Sequence, residues 1–362
     1  MIPIANPIID EEEKEKVLEV MDSGMLASGK YVKKFEKEFA AYNGNKYGLA
    51  TSSGTTALDV ALKAAGIEEG DKIITTPFTF IASSNSILYC DAEPVFVDID
   101  RDSFNIDPDQ IRQKLEEDPE IEALLIVHLF GLACDMDAIM ELVDKYDLTL
   151  IEDCAQAHGA QYKGKKVGTF GKTAVFSFYP TKNMTTSEGG MVVTDNKEVM
   201  ENGRLLISHG SSERYCHQVL GYNYRMTNIE AAIGLCQLQK IEKFNQKRQD
   251  NAEFLTSELN KIDGIEIPDF SRDYDHVFNL YTLKVDKRDE MASFLADNGI
   301  GYGIYYPRPI YNQPLYQKRG YDHYQLEVTE KMCERVISLP VHPALNRDDM
   351  EQIVDTIDNF YL

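Results

Sequence analysis

The chain has 362 residues and a formal net charge of −23, from 37 Lys and Arg residues against 60 Asp and Glu residues. This excess of acid argues against a nucleic-acid-binding protein, because phosphate contacts need clustered basic side chains. A hydrophobic content of 43% is enough for a proper core, and the length suggests two domains, or one large domain with an appendage.

The sequence shows no pattern typical of a targeting signal, a membrane span or a cysteine metal site. Residues 1–10 lack the basic region and the long apolar core of a signal peptide. The longest uncharged apolar stretch, 123–134, is well short of the ~18 residues that a spanning helix needs. The six cysteines form no CxxC pair and no zinc spacing, which is typical of free thiols in a reducing compartment. We therefore expect a soluble cytoplasmic protein without a metal site that binds neither nucleic acid nor a membrane.

In chain order, the first predicted elements are helices. Asp10 and Glu13 fit a helix N-terminus, and Gly24 is a plausible stop. A loop over 25–34 then leads to a second helix that carries Phe39.

Beyond this helix, β-rich runs alternate with helical periodicity. A run over 47–51 enters a Ser/Thr/Gly segment and a helix that ends at Gly66. Further strands are predicted over 72–76, 94–98, 124–129, 148–153, 174–178 and 191–194. Helices are predicted over 80–90, 107–116 and 136–146. Strands rich in Val, Ile and Leu and spaced by helices indicate an α/β fold with a mainly parallel sheet covered on both faces.

The C-terminal part begins in a long helix. Thr227 and Glu230 match a capping box that opens a helical stretch reaching about 260. We place a domain boundary within it, which predicts a large domain over 10–245 and a small domain over 246–362, with residues 1–9 associated with the small domain. The remaining predicted elements are a strand over 279–285, a helix over 290–298, an aromatic loop over 302–316 and a final helix from Arg347.

The most informative stretch is 173–191, in which two β-rich runs flank a polar loop. The first run stops at Pro180, and Lys182 follows among small hydroxyl residues. This arrangement predicts Lys182 at a strand end, where small-molecule sites lie in α/β sheets. A lysine held there can form a Schiff base if the pKa of its ammonium is lowered, although most lysines are solvated surface groups.

Asp153 gives Lys182 a chemical context, because it ends the apolar run 148–153. Pyridoxal phosphate needs a lysine that binds its aldehyde and a carboxylate that keeps its ring nitrogen protonated, so that the ring acts as an electron sink. A buried Asp153 needs such a cationic partner, and its alternative is the N-cap of a helix from Ala155. Gln156 lies about one helical turn on, so its side chain would face the same ring.

Other residues have weaker cofactor interpretations. Segment 52–56 precedes a helix, so its backbone amides, with Gly54 allowing close approach, would form a phosphate site; an ordinary Ser/Thr N-cap is the alternative that the motif alone favours. Ser177 is either a further phosphate ligand or a strand serine facing a neighbouring backbone. Phe80 would stack on the pyridine ring, although composition alone favours a core Phe. His158 has no clear partner and is interpreted as a satisfied structural histidine.

Several segments together resemble the DegT/DnrJ/EryC1/StrS family of fold-type-I, pyridoxal-phosphate-dependent aminotransferases, which act mostly on nucleotide-linked keto sugars. The resemblance runs from the first helix to the closing helix and implies a mainly parallel seven-stranded sheet in the large domain plus a smaller α+β C-terminal domain. The segments are Ser53-Gly54-Thr55, Thr79-Phe80-Ile-Ala-Ser, Ile151-Glu-Asp153-Cys-Ala-Gln156-Ala-His-Gly, Ser177-Phe-Tyr-Pro-Thr-Lys182-Asn and Gly221-Tyr-Asn223-Tyr-Arg225-Met.

The resemblance implies cofactor roles for the matching residues. Lys182 would be the Schiff-base lysine and would carry the proton between C4′ of the cofactor and the sugar carbon. Asp153 would pair with the pyridine nitrogen, Gln156 would lie near the ring hydroxyl and Phe80 would stack on the ring. The implied phosphate ligands are Ser53, Gly54, Thr55 and Ser177.

Further implied roles concern the substrate and a second subunit. The resemblance implies a homodimer with shared active sites, in which Asn223 reaches the phosphate of the partner's cofactor. Arg225 matches an arginine near the substrate, and Tyr305 and Tyr306 match a region around the sugar. Ser187 stands where many members have Gly, so it would be strained if the backbone there needs a positive φ.

We therefore expect a sugar-nucleotide aminotransferase of polysaccharide biosynthesis, with glutamate as the amino donor and a ping-pong cycle. A branch of the family has histidine in place of the lysine and catalyses dehydration, so Lys182 favours transamination. Two alternatives stay open: a pyridoxal-dependent enzyme acting on another carbonyl substrate, such as a cyclitol or an antibiotic amino sugar, and a regulatory protein that binds the cofactor without turnover. The sugar, its carbon (C3 or C4) and the nucleotide also stay open.

Overall fold

The computed structural model describes residues 1–267 and 274–362. Its helices are α1 (Glu11–Asp22), α2 (Lys30–Asn43), α3 (Gly54–Ala65), α4 (Ile81–Leu88), α5 (Pro108–Glu117), α6 (Met136–Tyr146), α7 (Lys197–Leu206), α8 (Asn228–Leu259), α9 (Arg288–Asp297), α10 (Pro314–Gln317), α11 (Glu327–Arg335) and α12 (Arg347–Tyr361). Its strands are β1 (Tyr47–Thr51), β2 (Lys72–Thr75), β3 (Glu93–Phe96), β4 (Ile121–Val127), β5 (Thr149–Asp153), β6 (Gln161–Tyr162), β7 (Lys165–Lys166), β8 (Thr173–Ser177), β9 (Gly190–Thr194), β10 (Ser211–Glu213), β11 (Cys216–His217), β12 (Ile265–Glu266), β13 (Tyr274–Asp275), β14 (Tyr281–Val285) and β15 (Val336–Leu339). A search of the described helices finds none that is long and apolar enough to cross a membrane.

The main sheet positions the site. Within the described residues it has seven strands in the order β1-β9-β8-β5-β4-β2-β3, and only β9 runs against the others. The predicted mainly parallel, seven-stranded sheet is confirmed. Val127 of β4 pairs with Asp153 of β5, and Asp153 pairs with Val175 of β8. Because parallel strands end at the same edge, Asp153 and Ser177 lie side by side there.

Residue alternation explains why the sheet is covered on both faces. Along β4, Leu124 and Ile126 enter the core that includes α2, α5, α6 and the first part of α8. Ala123 and Leu125 enter the opposite core, which includes α3 and α4. Because successive side chains of a strand point to opposite faces, one apolar strand contributes to both cores, as a sheet covered on both faces requires.

A separate core gathers the C-terminal elements. It packs β14 and β15 against α9, α12 and the last part of α8, and Ile2 joins it beside Ile300. Leu235 and Ile241 of α8 belong to the core on the sheet, whereas Leu255 belongs to this one. The domain boundary near residue 245 falls between the two sets and stays a prediction.

Some elements differ from those expected. The loop predicted over 25–34 is shorter, because α2 already begins at Lys30, where the amides of the next residues bond to Asn228. Helix α7 was not predicted, although Asn196 caps it by accepting from the Glu198 and Val199 amides. Helix α11 and strand β15 were also not predicted; β15 is a short strand that owes its place to pairing with β14.

Candidate active site

A cavity of about 600 Å³ opens at the edge of the sheet where β4, β5 and β8 end. It contains the chemically distinctive residues that the sequence singled out, apart from Asn223 and Arg225. The predicted site residues that line it are Ser53, Gly54, Thr55, Phe80, Asp153, Gln156, Ser177, Lys182, Tyr305 and Tyr306.

The start of α3 forms one wall. Ser53 caps the helix: its Oγ accepts from the Thr56 amide at 3.1 Å, and Thr56 Oγ1 accepts from the Ser53 amide at 3.0 Å. Ser53 is thus an N-cap and also lines the cavity. A methyl group on Gly54 would lie 2.7 Å from Cβ of Ser177, so only glycine lets the helix start approach β8 this closely. The result is a hydroxyl-rich cup around free helix amides.

Asp153 ends β5 as a buried carboxylate. Its Oδ2 accepts from Ser83 Oγ at 2.7 Å, and its Oδ1 accepts from the Ala155 amide at 3.0 Å. Burial raises the pKa of the Asp153 carboxyl above its usual value, although both hydrogen bonds and the Lys182 charge oppose the shift. The chain after Asp153 forms turns, so the helix N-cap alternative is wrong.

Lys182 lies in the turn that follows Pro180, with its amide bonded to the Tyr179 carbonyl at 2.9 Å. Its side chain is only partly exposed and is surrounded by protein. This burial lowers the pKa of the Lys182 ammonium to about 8, while the charge of Asp153 opposes the shift. A substantial fraction of the amine is therefore neutral, and hence nucleophilic, near pH 8.

Asparagines hold the lysine turn in place. Asn183 Nδ2 donates to Asn245 Oδ1 and to the Val277 carbonyl, both at 2.8 Å. Asn279 Nδ2 donates to Asn183 Oδ1 at 3.0 Å, and Asn245 Nδ2 donates to the His158 carbonyl at 2.8 Å. Buried amides that satisfy one another in this way fix a loop more firmly than apolar contacts alone.

Gln156 and the tyrosine pair form another wall. Gln156 Oε1 accepts from the Phe130 amide at 2.7 Å, and its Nε2 donates to Tyr306 Oη at 3.1 Å. The expected helical spacing between Gln156 and Asp153 is wrong, because a turn rather than a helix separates them, yet both side chains line the cavity. Tyr305 lines it beside Tyr306.

Phe80 is not a core residue. It is 58% exposed and lines the cavity, whereas its neighbour Phe78 is fully buried and takes the core position. An exposed ring at a cavity wall offers a flat apolar face to a ligand ring.

Asn223 and Arg225 do not line this cavity. Asn223 is exposed and Arg225 partly so, and their segment is tied to the end of β1 by the Arg225–Thr51 bridge. The exposed hairpin before them carries Tyr215, and the loop after the hairpin carries Leu220; each is 81% exposed. Both side chains therefore lie outside the cavity of their own subunit, and the resemblance assigned Asn223 to the site of a partner subunit.

His158 and Ser187 also differ from simple expectations. His158 is fully buried among Phe39, Phe176 and Phe178, and neither ring nitrogen has a hydrogen-bond partner among the described residues, so it is not the satisfied histidine that was expected. Burial lowers its pKa to about 3, so the ring is neutral. Ser187 has φ 77°, in the region that favours glycine, and its amide donates to Thr185 Oγ1.

A buried group beneath the cavity has the composition of a metal site: ligand atoms of His128, Glu152 and Cys154 lie within 4.8 Å of one another. The oxygens of Glu152 already accept four hydrogen bonds. The donors are His128 Nε2 and the amides of Gly168, Phe170 and Gly171. His128 Nδ1 accepts from the Cys134 amide. His128 and Glu152 thus form a hydrogen-bonded support for the end of β5.

Two polar residues of the cavity wall, Ser83 and Arg248, were not predicted from the sequence. Ser83 stood within a quoted segment but received no role, and its position one helical turn after Phe80 was the available signal. Arg248 lies within the helical stretch that was predicted to reach about residue 260, and it received no role. It is 5% exposed, lines the cavity, and donates from Nη1 to the carbonyls of Phe278 and Asn279 at 3.1 and 3.2 Å.

Comparisons with known proteins agree with this geometry. The DegT/DnrJ/EryC1/StrS aminotransferase family model matches residues 7–358. The chain is 40% identical, over 97% of its length and 96% of the relative, to a pleiotropic regulatory protein of Geobacillus stearothermophilus. It is 39% identical, over 99% and 98%, to GDP-perosamine synthase of Escherichia coli O157:H7. A structure of S. venezuelae DesV in complex with a ketimine intermediate matches at TM-score 0.93 and 36% identity, over 97% of this chain and 94% of that one.

These matches extend over nearly the whole chain. The fold is the same, and the sequence identities of 36 to 40% are high enough to indicate a common family. Aminotransferases of this kind depend on pyridoxal phosphate, which is the cofactor of this chain. The chain therefore belongs to the DegT/DnrJ/EryC1/StrS family of pyridoxal-phosphate-dependent aminotransferases.

Proposed function

We propose that this chain transfers an amino group from glutamate to a nucleotide-linked keto sugar. The observation that carries the proposal is the meeting of Lys182, Asp153 and the start of α3 in one cavity. The name of the relative GDP-perosamine synthase supports a nucleotide-linked amino sugar as the product class.

The described residues fit the cofactor. The cup formed by Ser53, Gly54, Thr55 and Ser177 suits a phosphate, because helix amides and hydroxyl donors converge there. Asp153 has no ion-pair partner among the described residues, so a protonated ring nitrogen would supply the missing cation. Phe80 offers the face on which the ring would stack.

Pyridoxal phosphate, when bound to Lys182, supplies an electron sink that stabilises negative charge on the substrate carbon. Asp153 holds the proton at the ring nitrogen, which keeps this sink effective. The Lys182 amine, with a pKa lowered to about 8, would carry a proton between the reacting carbon of the substrate and C4′ of the cofactor. Gln156 and Tyr306 orient the ring and shield it from water, because they are hydrogen-bonded to each other at the cavity wall.

The proposed cycle is ping-pong. Glutamate would give up its amino group and depart as 2-oxoglutarate, and the keto sugar would then take the amine at C3 or C4. Because donor and acceptor use the same cavity in turn, each must leave before the other binds.

A homodimer would complete the site. Asn223 and Arg225 would reach the partner's cavity, with Asn223 near its cofactor phosphate and Arg225 near its sugar. Their exclusion from the cavity of their own subunit and the exposed apolar hairpin beside them support this arrangement. We also propose a cytoplasmic location, which the unpaired state of all six cysteines supports.

A regulatory role is the second candidate, and the name of the Geobacillus relative favours it. A regulator would bind the cofactor without turnover. A regulator that only binds the cofactor would not need both a reactive lysine and a buried carboxylate in the cavity, so we favour transamination.

The test is a two-stage reaction. Holoenzyme mixed with glutamate should release about one equivalent of 2-oxoglutarate per site and change from the pyridoxal to the pyridoxamine absorbance. Addition of GDP-, UDP- or dTDP-linked keto sugars, each tested in turn, should restore the first spectrum and yield an amino sugar. The Lys182→Ala protein is the control, and it should bind the cofactor without turnover. A wild-type protein that passes neither stage would contradict the proposal and favour the regulator.

A further inference from the structure

Arg248 is an uncompensated buried cation. It is 5% exposed, and no acidic side chain of the described residues lies within ion-pair distance of it, although most buried charges are paired. Its Nη1 bonds only to neutral carbonyls, those of Phe278 and Asn279, and its Nε has no partner among the described residues. Carbonyl contacts alone leave a buried positive charge without a counter-charge.

The position of Arg248 places this charge beside the reacting lysine. Arg248 lines the main cavity and also a small adjoining recess. The residues common to the linings of both spaces are Ala5, Thr181, Lys182 and Arg248. Among the described residues that line the main cavity, Lys182 and Arg248 are the only basic ones.

An amino-acid donor carries a negatively charged α-carboxylate, which could serve as the missing counter-charge beside Arg248. Its amine must come to the lysine, because the amino group is exchanged there. Its α-carboxylate is attached to the carbon that bears the amine, so it must lie within a few bonds of Lys182. An arginine presents a planar fork that matches a carboxylate, and in a site with little water such a pair is stronger than on the surface.

We propose that Arg248 binds the α-carboxylate of the amino donor. This assignment rests on the proposed function only in that an amino acid is the donor. The keto sugar has no carboxylate at the corresponding place, so Arg248 contributes to the donor half of the cycle and not to the acceptor half.

Because Arg248 also contacts the chain near residue 278, its role could be purely structural. The variants are chosen to separate carboxylate binding from structural support. Arg248→Gln removes the charge and the fork, and Arg248→Lys keeps the charge without the fork. Lys243→Gln is the matched control, since Lys243 is an exposed cation of the same helix. Thermal unfolding of each holoenzyme reports whether the fold survives.

The first measurement needs no turnover. Glutarate, an unreactive dicarboxylate, is titrated into each holoenzyme in a calorimeter. Arg248→Gln should raise the dissociation constant on the order of 100-fold, as expected for loss of a buried charge-assisted pair. Arg248→Lys should raise it less, and Lys243→Gln should leave it unchanged.

The second measurement identifies the carboxylate. Single-turnover rates with L-glutamate and L-alanine should fall by similar factors in Arg248→Gln, because both donors carry an α-carboxylate. The rate of the acceptor half-reaction with a keto sugar should change by less than a few-fold.

Three results would overturn the inference: no glutarate binding to the wild type, unchanged binding in either folded Arg248 variant, or a loss confined to glutamate, which would assign Arg248 to the side-chain carboxylate. If Arg248→Gln does not fold, Arg248→Lys decides. Failure of the proposed function looks different, because no sugar nucleotide would then be aminated while Arg248 still bound glutarate.

Discussion

Ser83 Oγ donates a 2.7 Å hydrogen bond to Oδ2 of Asp153, and both side chains are buried. Ser83 lies in the first turn of α4, three residues after Phe80, whereas Asp153 ends a strand in the middle of the sheet. One short helix therefore both presents an exposed ring to the cavity and holds the carboxylate in a fixed orientation.

Ser83→Ala should weaken the ionised form of Asp153, because hydrogen bonds to a carboxylate oppose the effect of burial on its pKa. The pKa of Asp153 then rises, so the acid limb of the kcat profile should move to higher pH and kcat should fall about 10-fold. Ser86→Ala is the control, since Ser86 is buried in the same helix and bonds to the Ser83 carbonyl. Identical acid limbs in the two variants would remove Ser83 from this role.

Attachment of the cofactor to Lys182 should depend steeply on pH. Burial lowers the pKa of this ammonium to about 8, so the neutral amine predominates above that pH and becomes scarce below it. The rate at which apoenzyme forms a borohydride-stable adduct with pyridoxal phosphate should level off above about pH 8 and fall about 10-fold per unit below it. Lys182→Ala corrects for adducts on other lysines. A midpoint near that of an exposed lysine would contradict the shift.

Ser187→Gly should stabilise the protein by about 1 kcal/mol. Ser187 adopts φ 77°, which costs an L-residue roughly that amount and glycine nothing. The comparison is Ser187→Ala, which retains Cβ and should bring no gain. Urea unfolding of the three proteins measures the difference, and equal midpoints for the glycine and alanine variants would show that the backbone here is unstrained.

Arg225→Ala should raise KM for the keto sugar more than KM for glutamate, because a substrate with phosphates or a carboxylate needs local positive charge in a protein of net charge −23. This is the opposite of the pattern expected for Arg248→Gln. Steady-state kinetics with each substrate varied in turn gives both constants. An equal change in both, or none, would make Arg225 a structural residue.

Shared active sites should be detectable by subunit mixing. A Lys182→Ala chain and an Asn223→Ala, Arg225→Ala chain are each nearly inactive alone. In a mixed dimer with isologous pairing, both defects fall in one site and the other site is intact. Random exchange makes about half of the dimers mixed, so about a quarter of wild-type activity should return. No recovery after verified exchange would place Asn223 and Arg225 outside the partner's site.

Much of this architecture could be read from the sequence, for a physical reason. Strands buried on both faces must be runs of apolar residues, so β4, β5 and β8 stand out, and parallel strands bring their ends to one edge. Asp153 and Lys182 follow two such runs, and their meeting in the cavity therefore follows from topology.

Arg248 and the short strand β15 could not be read in this way. Whether a helical arginine faces solvent or a cavity depends on what packs against it, and Arg248 meets the chain near Asn279, far along the sequence. β15 has few residues and gains its stability from pairing with β14. Gln156 was expected to face the same site as Asp153 because of helical spacing. Both residues do line the cavity, but a turn and not a helix brings Gln156 there.

Helix α8 packs its first part into the core on the sheet and its last part into the C-terminal core. Between them, Asn245 bonds to Asn183 of the lysine turn and Arg248 lines the cavity. When the C-terminal segment is exchanged between relatives, the crossover therefore falls either within this helix or at one of its ends, so that one parent contributes the whole helix. A crossover after Arg248 keeps Lys182, Asn183, Asn245 and Arg248 in one parent, and it exchanges Asn279. A crossover before Asn245 brings a foreign wall to that turn, so chimaeras of this type should need matched asparagines at residues 183, 245 and 279.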